Sequence, residues 1–132
     1  MTLDHLGVAV RDLETSLKSY EVLGLEAGHR ELVAKDQVEV AFVPFAGGRF
    51  ELLQPLAADS PVGRFLAKRG EGIHHVALSV DDLHAEVDRL KAAGVRMIDD
   101  VPRPGAENTL VAFVHPASTG GVLIELVERS HE

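Results

Sequence analysis

The sequence predicts an α+β fold in which two paired βαβββ modules form a curved mixed sheet around one cleft. Three observations lead there: an internal repeat, the same order of hydrophobic periodicities in both copies, and a length of 132 residues, which suits one domain. Leu3-Asp4-His5-Leu6-Gly7-Val8-Ala9-Val10-Arg11-Asp12-Leu13 is matched by Ile73-His74-His75-Val76-Ala77-Leu78-Ser79-Val80-Asp81-Asp82-Leu83 at an offset of 70, which also pairs Gly24 with Gly94. Val40-Ala41-Phe42-Val43 returns as Val111-Ala112-Phe113-Val114 at an offset of 71, and Phe50-Glu51-Leu52 as Ile124-Glu125-Leu126 at 74. Offsets that drift only at turns mark a diverged duplication. The single domain therefore divides into a first module of about 1–58, a linking helix of about 60–70 and a second module of about 72–132.

Each copy opens on a strand, because Leu3–Val10 and Ile73–Val80 alternate apolar with small or polar residues. Asp12 and Asp82 follow as helix caps, their carboxylates suited to the free amides of a first turn. The helices run to Gly24 and Gly94, with Leu13, Leu17 and Tyr20, or Leu83, Val87 and Leu90, as one apolar stripe. Three strands are expected in each copy: Glu26–Val33, Gln37–Phe45 and Arg49–Pro55, then Arg96–Val101, Thr109–Val114 and Val122–Glu128. Gly47-Gly48 and Gly120-Gly121 supply the turns before the last strands. Between the copies, Ser60 caps a helix that begins with Pro61 and ends at Gly70-Glu71-Gly72, the expected hinge.

Composition narrows the function. With 13 basic and 21 acidic residues the net charge is −8, which argues against nucleic acid and against an anionic membrane surface as partners. The absence of cysteine excludes a disulfide scaffold and a thiolate zinc site. The start of the chain has no basic n-region, and no apolar run approaches the roughly 20 residues of a bilayer span, so a soluble cytoplasmic protein is expected.

Strand alternation then gathers the chemistry. Val8 and Val10, like Leu78 and Val80, are expected to face the helices, while His5 and its copy His75 face away. In the last strands Glu51 and its copy Glu125 oppose the helix-facing Phe50, Leu52, Ile124 and Leu126. Folded about one cleft, His5, Glu51, His75 and Glu125 form a donor set for a divalent metal. Imidazole suits zinc, cobalt or nickel, and carboxylate suits manganese or magnesium. Four such ligands leave two octahedral positions for substrate. The small residues Gly7, Ala9, Ala41, Ala77, Ser79 and Ala112 are placed on the same side, as room for a ligand. Glu39 is expected there too; its counterpart is Leu110, so it is an unmatched acid and a candidate general base. His29, His84 and His131 are expected at the surface, and His115 in a turn.

These runs, together with Glu51-Leu52-Leu53-Gln54-Pro55, Lys68-Arg69-Gly70-Glu71-Gly72-Ile73-His74-His75 and Gly120-Gly121-Val122-Leu123-Ile124-Glu125, resemble the methylmalonyl-CoA epimerase family of the vicinal oxygen chelate superfamily. The resemblance implies the paired-module fold, a divalent metal on His5, Glu51, His75 and Glu125, and an acid/base pair at Glu39 and Glu125. It implies a coenzyme A thioester as substrate, epimerised through an enolate, and a homodimer. Arg64, Lys68, Arg69 and Arg103 are the cations available to the coenzyme A phosphates. The segment Pro102-Arg103-Pro104-Gly105-Ala106-Glu107-Asn108 is stiffer and more acidic than the glycine-rich loop of such relatives. Two other functions compete: a glyoxalase I-type lyase acting on a glutathione adduct, and a metal-free small-molecule binder of the bleomycin-resistance kind. The presence of all four donors disfavours the second.

Overall fold

A computed structural model describes residues 1–129 of the chain; the expectation for His131 lies outside the described residues. The elements are β1 (Thr2–Ala9), α1 (Leu13–Val22), β2 (Arg30–Val33), β3 (Val38–Phe45), β4 (Gly48–Pro55), α2 (Pro61–Arg69), β5 (Gly72–Ser79), α3 (Leu83–Ala92), β6 (Arg103–Pro104), β7 (Leu110–Val114) and β8 (Ile124–Glu128). Two compact units result: one is His5–His74, and the other is Met1–Asp4 together with His75–Glu132. Each carries one βαβββ module, apart from the few residues of β1 and β5 that the partition assigns to the other unit.

In the first unit the strands lie in the order β2-β3-β4-β1. β1 runs parallel to β4, with Gly7 beside Glu51, and the remaining pairings are antiparallel, so the array is mixed. Helix α1 covers one face, where Leu13 and Leu17 pack against Val8, Val10, Ala41, Val43 and Leu52. Its start is fixed twice. Asp12 accepts a 2.9 Å bond from the Thr15 amide, and Gln54, reaching over from β4, accepts a 2.8 Å bond from the Leu13 amide. Helix α2 belongs to the same unit and begins as expected, with Ser60 Oγ accepting from the Gly63 amide at 3.1 Å. A Cβ at Gly63 would sit 2.4 Å from the Ala57 carbonyl oxygen, so only glycine fits there.

The second unit repeats the plan as β5-β8-β7-β6, with β5 parallel to β8 and Ala77 beside Glu125. Leu83 and Val87 of α3 pack on Ala112, Val114 and Leu126, with Leu78 and Val80 against them. Asp82 caps through the Ala85 amide at 3.1 Å, and Glu128 accepts from the Leu83 amide at 2.8 Å, as Gln54 does for Leu13. The duplication thus extends to the side chains that anchor the helices.

Two expectations are corrected. The strand foreseen at Arg96–Val101 is reduced to a single bridge, Met97 with Val114, and the edge pairing passes to Arg103–Pro104. The cause is local. Asp99 Oδ2 accepts the Phe113 amide at 2.8 Å, so a side chain takes the place of a strand carbonyl, and Pro102 has no amide to donate. Ala41 and Ala112 lie on the helix faces, not beside the candidate ligands, because they pair with Leu52 and Leu126. Among the described residues no helix is long and apolar enough to cross a membrane.

Candidate metal centre

In the first unit, the parallel register of β1 and β4 brings His5 beside Glu51. His5 Nδ1 stands 3.0 Å from Glu51 Oε2, and each side chain is only 6% exposed. Arg49, two residues before Glu51 and hence on the same face of β4, donates from Nη2 to the same oxygen at 2.8 Å. Its guanidinium lies over the Phe42 ring, 4.6 Å from the centroid, and Phe42 stacks on His29 at 4.4 Å. Phe42 is the cross-strand neighbour of Glu51.

The second unit holds the matching pair. His75 Nε2 stands 3.2 Å from Glu125 Oε1, with side-chain exposures of 6% and 10%. This contact lacks hydrogen-bond geometry. Phe113, cross-strand from Glu125, meets the His75 ring edge-on at 5.5 Å. An arginine again lies over the phenylalanine, Arg103 at 5.7 Å, but its Nε donates to Asp99 at 3.1 Å. Of the four expected donors, each unit therefore brings together one imidazole and one carboxylate. Buried carboxylates are costly unless neutralised, and an imidazole nitrogen within 3.2 Å of a carboxylate oxygen is the spacing of two donors that meet one cation. Imidazole and carboxylate are the donor types that suit a divalent ion, and each unit contributes one of each.

Glu39 is elsewhere. The uninterrupted β3–β4 register pairs it with Gln54, whose side chain turns to the start of α1, and Ala41 and Val43 on its side of the strand pack in the helix core. The expectation that Glu39 shares the face of Glu51 is corrected: that face of β3 carries Val40 and Phe42. Both sides of β3 are apolar from Val40 to Val43, so the sequence holds no period of two there by which to choose. Two residues that the sequence analysis passed over do belong to the Glu51 face. One is Arg49, which spacing of two along a strand would have revealed. The other is Glu31, cross-strand from Val40, whose placement depends on a register that no motif signals. His29 and His84 are exposed, and His115 shapes its turn, its Nδ1 accepting from the Ala117 amide at 3.0 Å.

The family model of the glyoxalase/bleomycin resistance protein/dioxygenase superfamily matches residues 4–113. The chain belongs to that superfamily. Within this superfamily the chain is 40% identical over 126 residues to the mitochondrial methylmalonyl-CoA epimerase of Bos taurus, spanning 94% of this chain and 72% of that one. The crystal structure of methylmalonyl-CoA epimerase from Mycobacterium tuberculosis superposes with a TM-score of 0.93 at 39% identity, covering 98% of this chain and 88% of that one. A variant of the Streptomyces coelicolor methylmalonyl-CoA epimerase, in complex with 2-nitronate-propionyl-CoA, gives 0.93 at 34% identity, with 99% and 96% covered.

Proposed function

We propose that this superfamily member is a metal-dependent isomerase that interconverts the epimers of methylmalonyl-CoA. The observation that carries the proposal is the doubled, buried His–Glu pair, His5 with Glu51 and His75 with Glu125, in a chain about 40% identical to named epimerases. On this reading the four side chains hold one divalent ion: cobalt, manganese, magnesium, nickel or zinc. A bound divalent ion supplies Lewis acidity that stabilises the charge developing on the thioester oxygen when the α-proton leaves. The chain does the rest. Glu125 takes and returns the proton on one face of the α-carbon. Inversion also needs a group on the opposite face. Glu39 is on the wrong side of its strand for this role, and Glu31, on the Glu51 face, takes it. Exposed Arg64, Lys68 and Arg69 on α2 offer positive charge for the coenzyme A phosphates. The single 1–132 domain, the homodimer and the cytoplasmic location expected from sequence complete the reading.

The test is solvent-deuterium exchange at the α-carbon of methylmalonyl-CoA, run with metal analysis of the protein and with a chelator. Exchange that copurifies with stoichiometric metal and stops on chelation is expected. Metal without exchange would redirect the proposal to a glyoxalase I-type lyase, and absence of both to a small-molecule binder.

A further inference from the structure

In the second unit the sheet face that carries His75 and Glu125 has two polar ends and an apolar middle. Alternation along β8 puts Val127 on the side of Glu125, where it packs with Ala77 of β5 and with its cross-strand neighbour Val111. Ser79, in register with Val127, leads to the far end and donates from Oγ to Asp4 at 3.1 Å. Arg129, two residues past Val127, closes that end. Its Nε and Nη2 donate to the two Asp4 carboxylate oxygens at 2.7 and 2.9 Å, and its Nη1 donates to Glu107 at 3.1 Å. Asp4 belongs to the same unit and is buried, its side chain 5% exposed.

The connection from β6 to β7 runs between these two ends. It starts with Arg103 over the Phe113 ring, beside His75. Gly105 then rests on the apolar middle so closely that a Cβ there would sit 2.7 Å from a Val111 methyl carbon. At the far end Glu107 meets Arg129. Glu107 and Asn108 have φ of 55° and 62°, a left-handed conformation that is costly for residues with a Cβ. Such backbone persists where its surroundings hold it, and a carboxylate bonded to an anchored guanidinium is a hold of that kind. We infer that residues 103–108 form a strap across this face, pinned by the positioning residue Arg129 through Glu107, and that the pin limits the size of the alkyl group a substrate carries on its α-carbon. The size limit rests on the proposed function, whereas the pin rests on the contacts alone. An alkyl group reaching from an α-carbon beside Glu125 toward Val127, about 7 Å along the strand, meets Gly105 lying on Val111. A longer group requires the strap to lift, and lifting it breaks the bond from Arg129 to Glu107.

Two measurements on the full chain test the two parts. The first is amide hydrogen exchange by mass spectrometry in wild type, Arg129→Met and Glu107→Ala. Both substitutions should speed exchange across 103–109, where the Gly105 amide donates to the Thr109 carbonyl at 2.9 Å, by about tenfold or more, and leave α3 unchanged. Glu107→Ala keeps the pairing of Arg129 with Asp4, so it decides the matter if Arg129→Met fails to fold. Unchanged exchange over 103–109 in Glu107→Ala overturns the pin. The second is solvent-deuterium exchange at the α-carbon of methylmalonyl-CoA and of butylmalonyl-CoA. The preference for the smaller thioester, as a ratio of kcat/KM values, should fall by about tenfold in Glu107→Ala, what one methylene is worth in an apolar pocket. Asp82→Ala weakens the same unit away from the strap and should leave that ratio unchanged. A ratio that stays at the wild-type value in Glu107→Ala, or that moves equally in Asp82→Ala, overturns the size limit. Wild-type protein inactive on both thioesters would defeat the proposed function and the size limit with it, while hydrogen exchange still decides the pin.

Discussion

The first module spends its stacked arginine on the candidate ligand Glu51; the second spends its own on Asp99. Much of the frame beneath that difference is shared. Both modules have a phenylalanine cross-strand from the ligand carboxylate, Phe42 or Phe113, and both fix the helix through the last strand, by Gln54 or Glu128. The arginines, however, come from different strands: Arg49 from β4, beside its ligand, and Arg103 from the short β6. The divergence of the third strand pair is thus connected to the site. Where Asp99 replaces a strand carbonyl on Phe113, it also captures Arg103 and holds it in an ion pair. Duplication conserved the scaffold and the donors while the charge around the donors was free to change.

The most severe test of this comparison is a pair of amide substitutions. Glu125→Gln removes the proposed acid/base group and should lower the exchange rate by about 10²–10⁴-fold. Glu51→Gln, whose charge Arg49 already offsets, should lower it by about tenfold or less. Single-turnover exchange at saturating metal measures both. Equal losses would mean that the two carboxylates are equivalent and that the arginine difference has no consequence for catalysis.

Away from the site the modules should behave alike. Leu13 and Leu83 are the first residues of α1 and α3, 1% and 0% exposed, each packed in its own module's core. Truncation to alanine should cost about 3 kcal/mol in either case, within the range for a buried leucine. Urea titration of Leu13→Ala and Leu83→Ala checks this. A difference of more than about 2 kcal/mol would show that one core relaxes around the cavity and the other does not.

The sequence made the duplication legible because both copies of a duplicated strand carry the same face pattern. His5 could be matched with His75, and Glu51 with Glu125, from offsets alone. The helix caps were legible for a similar reason, since Asp12, Ser60 and Asp82 each act within three residues of themselves. What failed required knowledge of register. Glu39 was misplaced because β3 is buried on both faces, so its alternation is silent. The strand at Arg96–Val101 was misplaced because an aspartate side chain can take over a backbone acceptor, and composition does not show this. The register makes its own prediction here. Glu31→Gln should slow exchange by about tenfold or more, whereas Glu39→Gln should change it by less than about twofold, since only a positioned acid or base contributes. Wash-in of solvent deuterium from each epimer separately measures both, and a loss confined to Glu39→Gln would restore the face assignment that the structure rejects.

The smallest expected effect separates the modules at their helix caps. Asp12 accepts from the Thr15 hydroxyl at 2.7 Å as well as from the Thr15 amide. These bonds, the hydroxyl first, hold its carboxyl below the usual carboxylate value. At Asp82 the equivalent position is Ala85, which offers an amide alone. Asp12→Ala should therefore lower the melting temperature more than Asp82→Ala at neutral pH. The sign with pH follows from the lowered value: a carboxylate bonded more strongly in its ionised form stabilises the fold above its unfolded-state value, and that contribution is lost as pH falls through the lower folded-state value. The gap between wild type and Asp12→Ala should then narrow steadily in acid. Thr15→Val, which deletes the hydroxyl and keeps the amide, should return the carboxyl toward its ordinary value, so that the narrowing is smaller and is complete at a higher pH. If Thr15→Val leaves the acid limb of the melting curve where wild type has it, the hydroxyl bond contributes nothing and the two caps are equivalent.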